Sequence, residues 1–138
     1  MSARRRSRDA FTLIELMVVV IIIAALAGMV APRLIGRSDE AKAEIAKGDI
    51  SQIGVGLKLF RLDMGRYPSS DEGLQALMAN PGSVGNWKGP YLERQPLDPW
   101  KQPYEYRQPG THGVMGYDLY SIGKDGADGT DDDVGNWD

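Results

Sequence analysis

The chain has 138 residues, no cysteine and a formal net charge of −3, so it can form one small domain that disulfide bonds do not stabilise. Four arginines and one aspartate in the first ten residues leave a net charge of −6 for the remainder. An acidic body argues against general binding to the phosphates of nucleic acid.

The first predicted element is an apolar segment, residues 11–31, which is long enough to cross a bilayer as a helix. The arginines before it predict a cytoplasmic N-terminus and a body on the other side of the membrane. An ordinary signal peptide cut after Ala27 and a plain uncleaved anchor both fit this pattern. Neither explains Glu15, because an unpaired acid at the centre of a membrane span costs about 2.5 kcal/mol or more.

A third interpretation accounts for this glutamate. The basic leader followed by "FTLIE" resembles the N-terminus of type IV prepilins and pseudopilins. The resemblance implies a leader of residues 1–10, cleavage between Ala10 and Phe11 by a prepilin peptidase, and methylation of the new amine. Glu15 would pair with the amine of a neighbouring subunit, where loss of one buried partner costs about 3–5 kcal/mol. Ala10 replaces the glycine that this family usually has before the cut, which predicts slower cleavage.

Pro32 is expected to kink or locally open the helix. Beyond it, apolar residues recur at spacings of three and four, which predicts a buried stripe along a helix that continues to about Asp63. The residues of the stripe are Ala43, Ala46, Ile50, Ile53, Leu57, Phe60 and Met64. The pattern therefore predicts that this half of the helix packs on the C-terminal body.

Shorter elements follow the long helix. Residues 65–82 predict the end of that helix and a short second one, with Ser70 as its cap. Aromatic and β-branched residues predict short strands at 104–107, 117–122 and 134–137, separated by turns. Together these elements predict a small antiparallel sheet against the second half of the long helix.

Four motifs in this order extend the resemblance over nearly the whole chain: "GRYPSSDEGLQALM", "YLERQPLDPWKQPYEY", "YDLYSIGKDG" and "DDDVGNWD". They resemble the major pseudopilins of type II secretion systems, the general secretion pathway protein G type. The resemblance implies an α+β, type IV pilin-like fold: a long N-terminal helix packed on a small antiparallel sheet, with a C-terminal calcium loop. Lys101 departs from the family, which more often has glycine after the Asp-Pro-Trp.

The same resemblance implies a structural subunit that crosses the bacterial inner membrane once and places residues 32–138 in the periplasm. Copies of the chain would assemble into a helical fibre that promotes export of folded proteins across the outer membrane. The implied partners are other copies, minor pseudopilins, the prepilin peptidase, an inner-membrane assembly platform and membrane lipid.

Six aspartates crowd the last 17 residues, which is typical of a solvated tail. The interspersed glycines permit tight turns, however, and Trp137 just beyond the acids is large enough to favour burial. Clustered carboxylates repel one another unless a cation neutralises them, and oxygen ligands select a hard ion such as calcium. The spacing does not match an EF-hand loop, which needs a glutamate at its twelfth position.

The resemblance implies one structural calcium ion in this loop. The implied ligands are the side chains of Asp125, Asp132 and Asp133 and the backbone carbonyls of Ile122 and Thr130. Asp128 and Asp131 are expected to be bystanders, although Asp131 could substitute for a ligand.

No catalytic motif is apparent. His112 is the only histidine, has no cysteine partner, and is expected in a surface loop. Without a phosphate-binding motif, energy for assembly must come from another protein. The chain is thus predicted to be no enzyme. Two alternatives stay open: a type IV pilin of a surface fibre, and a secreted calcium- or sugar-binding module cut after Ala27.

Overall fold

The computed structural model describes residues 10–113 and 115–138. It contains one long helix, two short 3-10 helices and three strands. These are α1 (Leu13–Met64), the 3-10 helices Gly73–Leu77 and Pro81–Ser83, β1 (Glu105–Arg107), β2 (Asp118–Ser121) and β3 (Val134–Gly135). Nine of the ten residues predicted as a leader, 1–9, lie outside the described residues.

Helix α1 confirms the predicted long helix to within two residues at its start and one at its end. It continues through Pro32 without interruption, so the local opening predicted there is not found. A proline removes only one hydrogen bond of the helix, and the bonds on either side can maintain it. The chain divides into two compact units, the first ending at Ser38 and the second comprising Asp39–Asp138, and α1 contributes to both.

The core of the second unit forms around the predicted stripe of α1. The five central residues of the stripe are buried, and Ala43 and Met64 at its ends are partly buried. They pack with residues of the first 3-10 helix, the sheet and the loops between them: Leu74, Ala76, Leu77, Tyr104, Tyr117, Leu119 and Val134. Burial of this face supplies the main free energy of folding for a unit that has no disulfide.

Two tyrosine hydroxyls fasten the C-terminal body to α1. Tyr91 Oη donates to Asp63 Oδ2 at 2.6 Å, and Tyr104 Oη donates to Asp49 Oδ2 at 2.8 Å. Burial, with the nearby carboxylate, raises the pKa of both tyrosines, so each hydroxyl keeps its proton. The body is therefore held to the helix at two points that flank the apolar core.

The three strands form one antiparallel sheet in the order β1-β2-β3 and confirm the three predicted strands, although each is shorter. Tyr106 of β1 pairs with Leu119 of β2, and Ser121 pairs with Val134 of β3. β2 is buried along its whole length. The acidic loop, residues 122–133, connects β2 to β3, so both of its ends are fixed by sheet pairing.

The predicted cap at Ser70 is wrong. Ser69 and Glu72 instead form a reciprocal capping box: the Glu72 N–H donates to Ser69 Oγ at 3.2 Å, and the Ser69 N–H donates to Glu72 Oε2 at 2.9 Å. Ser70 Oγ bonds the backbone of Gln108, donating to its carbonyl and accepting from its N–H. The second serine thus ties the turn to the segment after β1.

The burial of the core face predicts that two leucines of α1 differ in their contribution to the free energy of unfolding. Leu57 has no exposed surface, whereas the side chain of Leu62 is 79% exposed. We expect Leu57→Ala to lower the free energy of unfolding by about 2–5 kcal/mol and Leu62→Ala to change it by less than about 0.5 kcal/mol. Urea unfolding of the full chain in detergent micelles measures this by tryptophan fluorescence, because all three tryptophans lie in the second unit. Equal losses in the two variants would contradict the assignment of the core face.

Candidate functional site: the N-terminal helix and the acidic loop

The first part of α1 exposes an apolar surface in which Glu15 is the one charged residue. Every large apolar side chain from Phe11 to Val30 is at least half exposed, and Phe11 is 89% exposed. By length and composition α1 is the one helix among the described residues that could cross a membrane, although a signal sequence has the same properties. So large a contiguous apolar surface needs lipid or protein to cover it.

Glu15 lies in the first turn of α1 and forms a capping box with Thr12. The Thr12 N–H donates to Glu15 Oε2 at 2.9 Å, and the Glu15 N–H donates to Thr12 Oγ1 at 3.3 Å. The carboxylate thereby satisfies a free N–H at the helix start, where negative charge is favourable. Thr-x-x-Glu is a recognisable capping signature, although the apolar residues around it obscure this signal in the sequence.

The predicted cleavage site precedes the helix. Ala10 and Phe11 are exposed and lie ahead of the first helical residue, Leu13. A peptidase needs an extended, accessible backbone at the bond it cuts, and helical hydrogen bonds do not enclose the bond between Ala10 and Phe11.

In the acidic loop, two of the three predicted acidic ligands converge on one hydroxyl. Thr130 Oγ1 lies 2.6 Å from Asp132 Oδ1 and 3.3 Å from Asp133 Oδ1. The Thr130 carbonyl accepts the Asp133 N–H at 3.2 Å. The bond from Thr130, with a further one from the Asp125 N–H, lowers the pKa of Asp132 and keeps it ionised.

The third predicted acidic ligand, Asp125, approaches Asp132 through its backbone N–H and not through its carboxylate. The Asp125 N–H donates to Asp132 Oδ2 at 3.0 Å, while the Asp125 carboxylate accepts the Ala127 N–H at 2.9 Å. Among the described residues no three acids or histidines form a ready-made ion cage. The donor set nevertheless consists only of carboxylate, carbonyl and hydroxyl oxygens on an exposed loop, which fits a hard cation such as calcium.

Two ion pairs connect the loop to its surroundings. The Arg107 guanidinium of β1 pairs with Asp128, and Lys124 Nζ lies 2.9 Å from Asp39 Oδ2 of α1. All four side chains are at least one-third exposed, so each pair is worth about 0–1 kcal/mol. Asp128 thus has a partner of its own, and its role as a bystander to the ion stays a prediction.

His112 lies in a loop, as predicted, with a side chain 52% exposed, yet it makes specific contacts. Its ring stacks on Trp137 at 4.1 Å between centroids, and its Nδ1 lies 2.9 Å from Asp118 Oδ2. Burial opposes ionisation of Asp118, but bonds from Thr111 and His112 outweigh it and lower the pKa to about 2. This cluster holds Trp137 near the chain end beside the sheet, and no local sequence pattern indicates it because His112 and Trp137 are far apart in the sequence.

Comparisons with known proteins cover both regions. Residues 33–137 match the family described as type II secretion system protein G, and residues 5–31 match the prokaryotic N-terminal methylation motif. The core protein G of the type II secretion system of Pseudomonas aeruginosa is 47% identical, over 98% of this chain and 99% of that protein. The Klebsiella michiganensis protein of the same name is 41% identical, over 97% and 96% of the two chains.

A solved structure shows the same fold. The crystal structure of the major pseudopilin from the type 2 secretion system of enterohaemorrhagic Escherichia coli matches with a TM-score of 0.68 and 35% identity. The match covers 75% of this chain and 89% of that one. The long helix and the small antiparallel sheet are therefore features shared with that structure.

Proposed function

Since the chain belongs to the protein G family of type II secretion systems and is a structural subunit of the pseudopilus, we propose that it polymerises into a periplasmic fibre whose growth promotes export of folded proteins across the outer membrane. The observation that carries this proposal is the exposed apolar surface at the start of α1. Lipid covers such a surface in the free subunit, and other copies cover it in the fibre. A secreted module cut after Ala27 would lose most of that surface.

The subunit is anchored in the inner membrane by residues 11–31 and places residues 32–138 in the periplasm. The four arginines of the first ten residues support this orientation, because positive charge is retained on the cytoplasmic side. The fibre then grows from the membrane outward, with a folded body on every subunit.

A prepilin peptidase cuts the chain between Ala10 and Phe11, and the new amine of Phe11 is methylated. The match to the methylation motif and the exposure of both residues support this step. Cleavage creates a positive charge four residues before Glu15. The precursor lacks that charge, so processing decides when Glu15 has an ionic partner.

Glu15 pairs with the Phe11 amine of a neighbouring copy during assembly. In the uncut chain its carboxylate already caps α1 through Thr12, so two explanations of this glutamate compete. The cap needs only a hydrogen-bond acceptor, which glutamine also supplies. Ion pairing needs the negative charge.

Two variants distinguish these explanations. We expect Glu15→Gln to keep the cap but to reduce fibre formation by roughly hundredfold or more, since it leaves the amine unpaired in an apolar fibre core. Thr12→Ala weakens the cap, keeps the charge, and is expected to assemble normally. Immunoblots of sheared fibres and of total membranes measure assembly and leader cleavage together. Normal assembly of the glutamine variant would contradict the ion-pair account.

The protein acts without catalysis of its own. Minor pseudopilins and an inner-membrane assembly platform are its proposed partners, beside further copies of the chain. The platform supplies the energy for addition of subunits, because the sequence contains no nucleotide-binding motif.

One calcium ion stabilises the C-terminal loop. Its ligands are the carboxylates of Asp125, Asp132 and Asp133 and the carbonyls of Ile122 and Thr130. The convergence of Asp132 and Asp133 on Thr130, and the approach of the Asp125 backbone to Asp132, support the acidic ligands and Thr130, whereas Ile122 is included on the family resemblance. The ion neutralises the clustered acids and closes the connection from β2 to β3, a structural role that a disulfide could otherwise provide.

Calcium is expected to raise the melting temperature of the full chain in detergent micelles. At a free ion concentration about one hundred times Kd, the gain is about 2.7 kcal/mol, or roughly 10–20 °C for a unit of this size. Asp132→Asn should abolish the shift, whereas Asp131→Asn, the same charge change in the same loop, should retain it. Loss of the shift in both variants, measured by tryptophan fluorescence with calcium or a chelator, would show that the ligand set is misassigned.

A further inference from the structure

Asp98 has a buried carboxylate that takes no part in the function proposed above. It is 3% exposed and lies in the turn that precedes β1. Its Oδ1 accepts the N–H groups of Trp100 at 3.0 Å and Gln102 at 2.8 Å, and its Oδ2 accepts the Ser121 hydroxyl at 2.5 Å. None of the ion pairs among the described residues includes it, so hydrogen bonds alone offset its desolvation.

Ser121 connects Asp98 to the start of the acidic loop by hydrogen bonds. It is fully buried at the end of β2, and its Oγ accepts the Gly123 N–H at 3.1 Å. A carboxylate can only accept, so Asp98 fixes the direction of the serine proton and turns an oxygen lone pair toward Gly123. The backbone of Ile122, whose carbonyl is a proposed calcium ligand, lies between these two anchored residues.

Gly123 is also the point where the two ends of the loop meet. Its φ is +67°, and a Cβ at this position would lie 2.6 Å from Asp132 Oδ2. Only glycine allows both the positive φ and so close an approach of the Asp132 carboxylate. The bond from Ser121 therefore holds the start of the loop beside another proposed ligand.

We propose that Asp98 and Ser121 are positioning residues for the calcium loop. They touch no ion; they hold the 121–123 backbone so that the Ile122 carbonyl and Asp132 stay at one site. This inference rests on the proposed calcium site. Hydrogen-bond partners of metal ligands commonly affect metal affinity by about 10–100-fold, so an effect of that size is expected from a network outside the ligand set.

Calcium titration calorimetry of the full chain in detergent micelles tests the proposal. Ser121→Ala should weaken calcium binding by about tenfold. The matched control is Tyr91→Phe, which also removes one hydroxyl that donates to a carboxylate, but far from the loop. It should change calcium affinity by less than about twofold. Unfolding in a chelator gives the stability of each variant without the ion.

The outcomes separate the inference from the calcium site itself. If the unsubstituted chain binds no calcium, the site fails and the inference fails with it. If that chain binds calcium and Ser121→Ala binds equally tightly, the positioning role is wrong and the network only stabilises the fold. Should Ser121→Ala fail to fold, Asp98→Asn provides the second comparison, since it keeps the size of the side chain but changes the acceptor of the serine proton. The same loss of about tenfold is expected there, and unchanged affinity would overturn the proposal.

Discussion

Burial of one stripe of α1 is the interaction on which the rest of the structure depends. From Ala46 to Phe60 this face supplies the centre of the core, against which the sheet and the short helix pack. The chain has no cysteine, and the described residues of the body form three short strands, so this apolar face supplies most of the packing between body and helix, beside the bonds from Tyr91 and Tyr104. The first part of the same helix exposes its apolar side chains, which leaves them available to lipid and to other subunits.

Hydrogen bonds determine which C-terminal segments lie next to one another around this core. Tyrosine hydroxyls bond carboxylates of α1, and buried Asp98 and Asp118 each bind several donors from nearby turns. Apolar packing is not directional, whereas these bonds require particular partners. The bond between Asp98 and Ser121 fixes the end of β2, from which the acidic loop departs.

Much of this arrangement follows from local sequence patterns. The stripe of α1 and the three strands were predictable because spacing along the chain determines which side chains share a face. Propensity does not distinguish Ser69 from Ser70 as the capping residue. The Ser70 hydroxyl instead bonds Gln108, 38 residues away, which leaves Ser69 to form the cap. The pairing of Asp98 with Ser121 and of Arg107 with Asp128 likewise depends on tertiary contacts that no local pattern contains.

The mass of the N-terminal peptide of protein extracted from membranes of the native host tests the central claim most directly. The proposed processing predicts a peptide that begins at Phe11 and carries one added methyl group, with Glu15 as the fifth residue of the mature chain. A peptide that begins at Gly28 would contradict the account, because the mature protein would then lack Glu15 and most of the apolar surface through which the subunits are proposed to assemble.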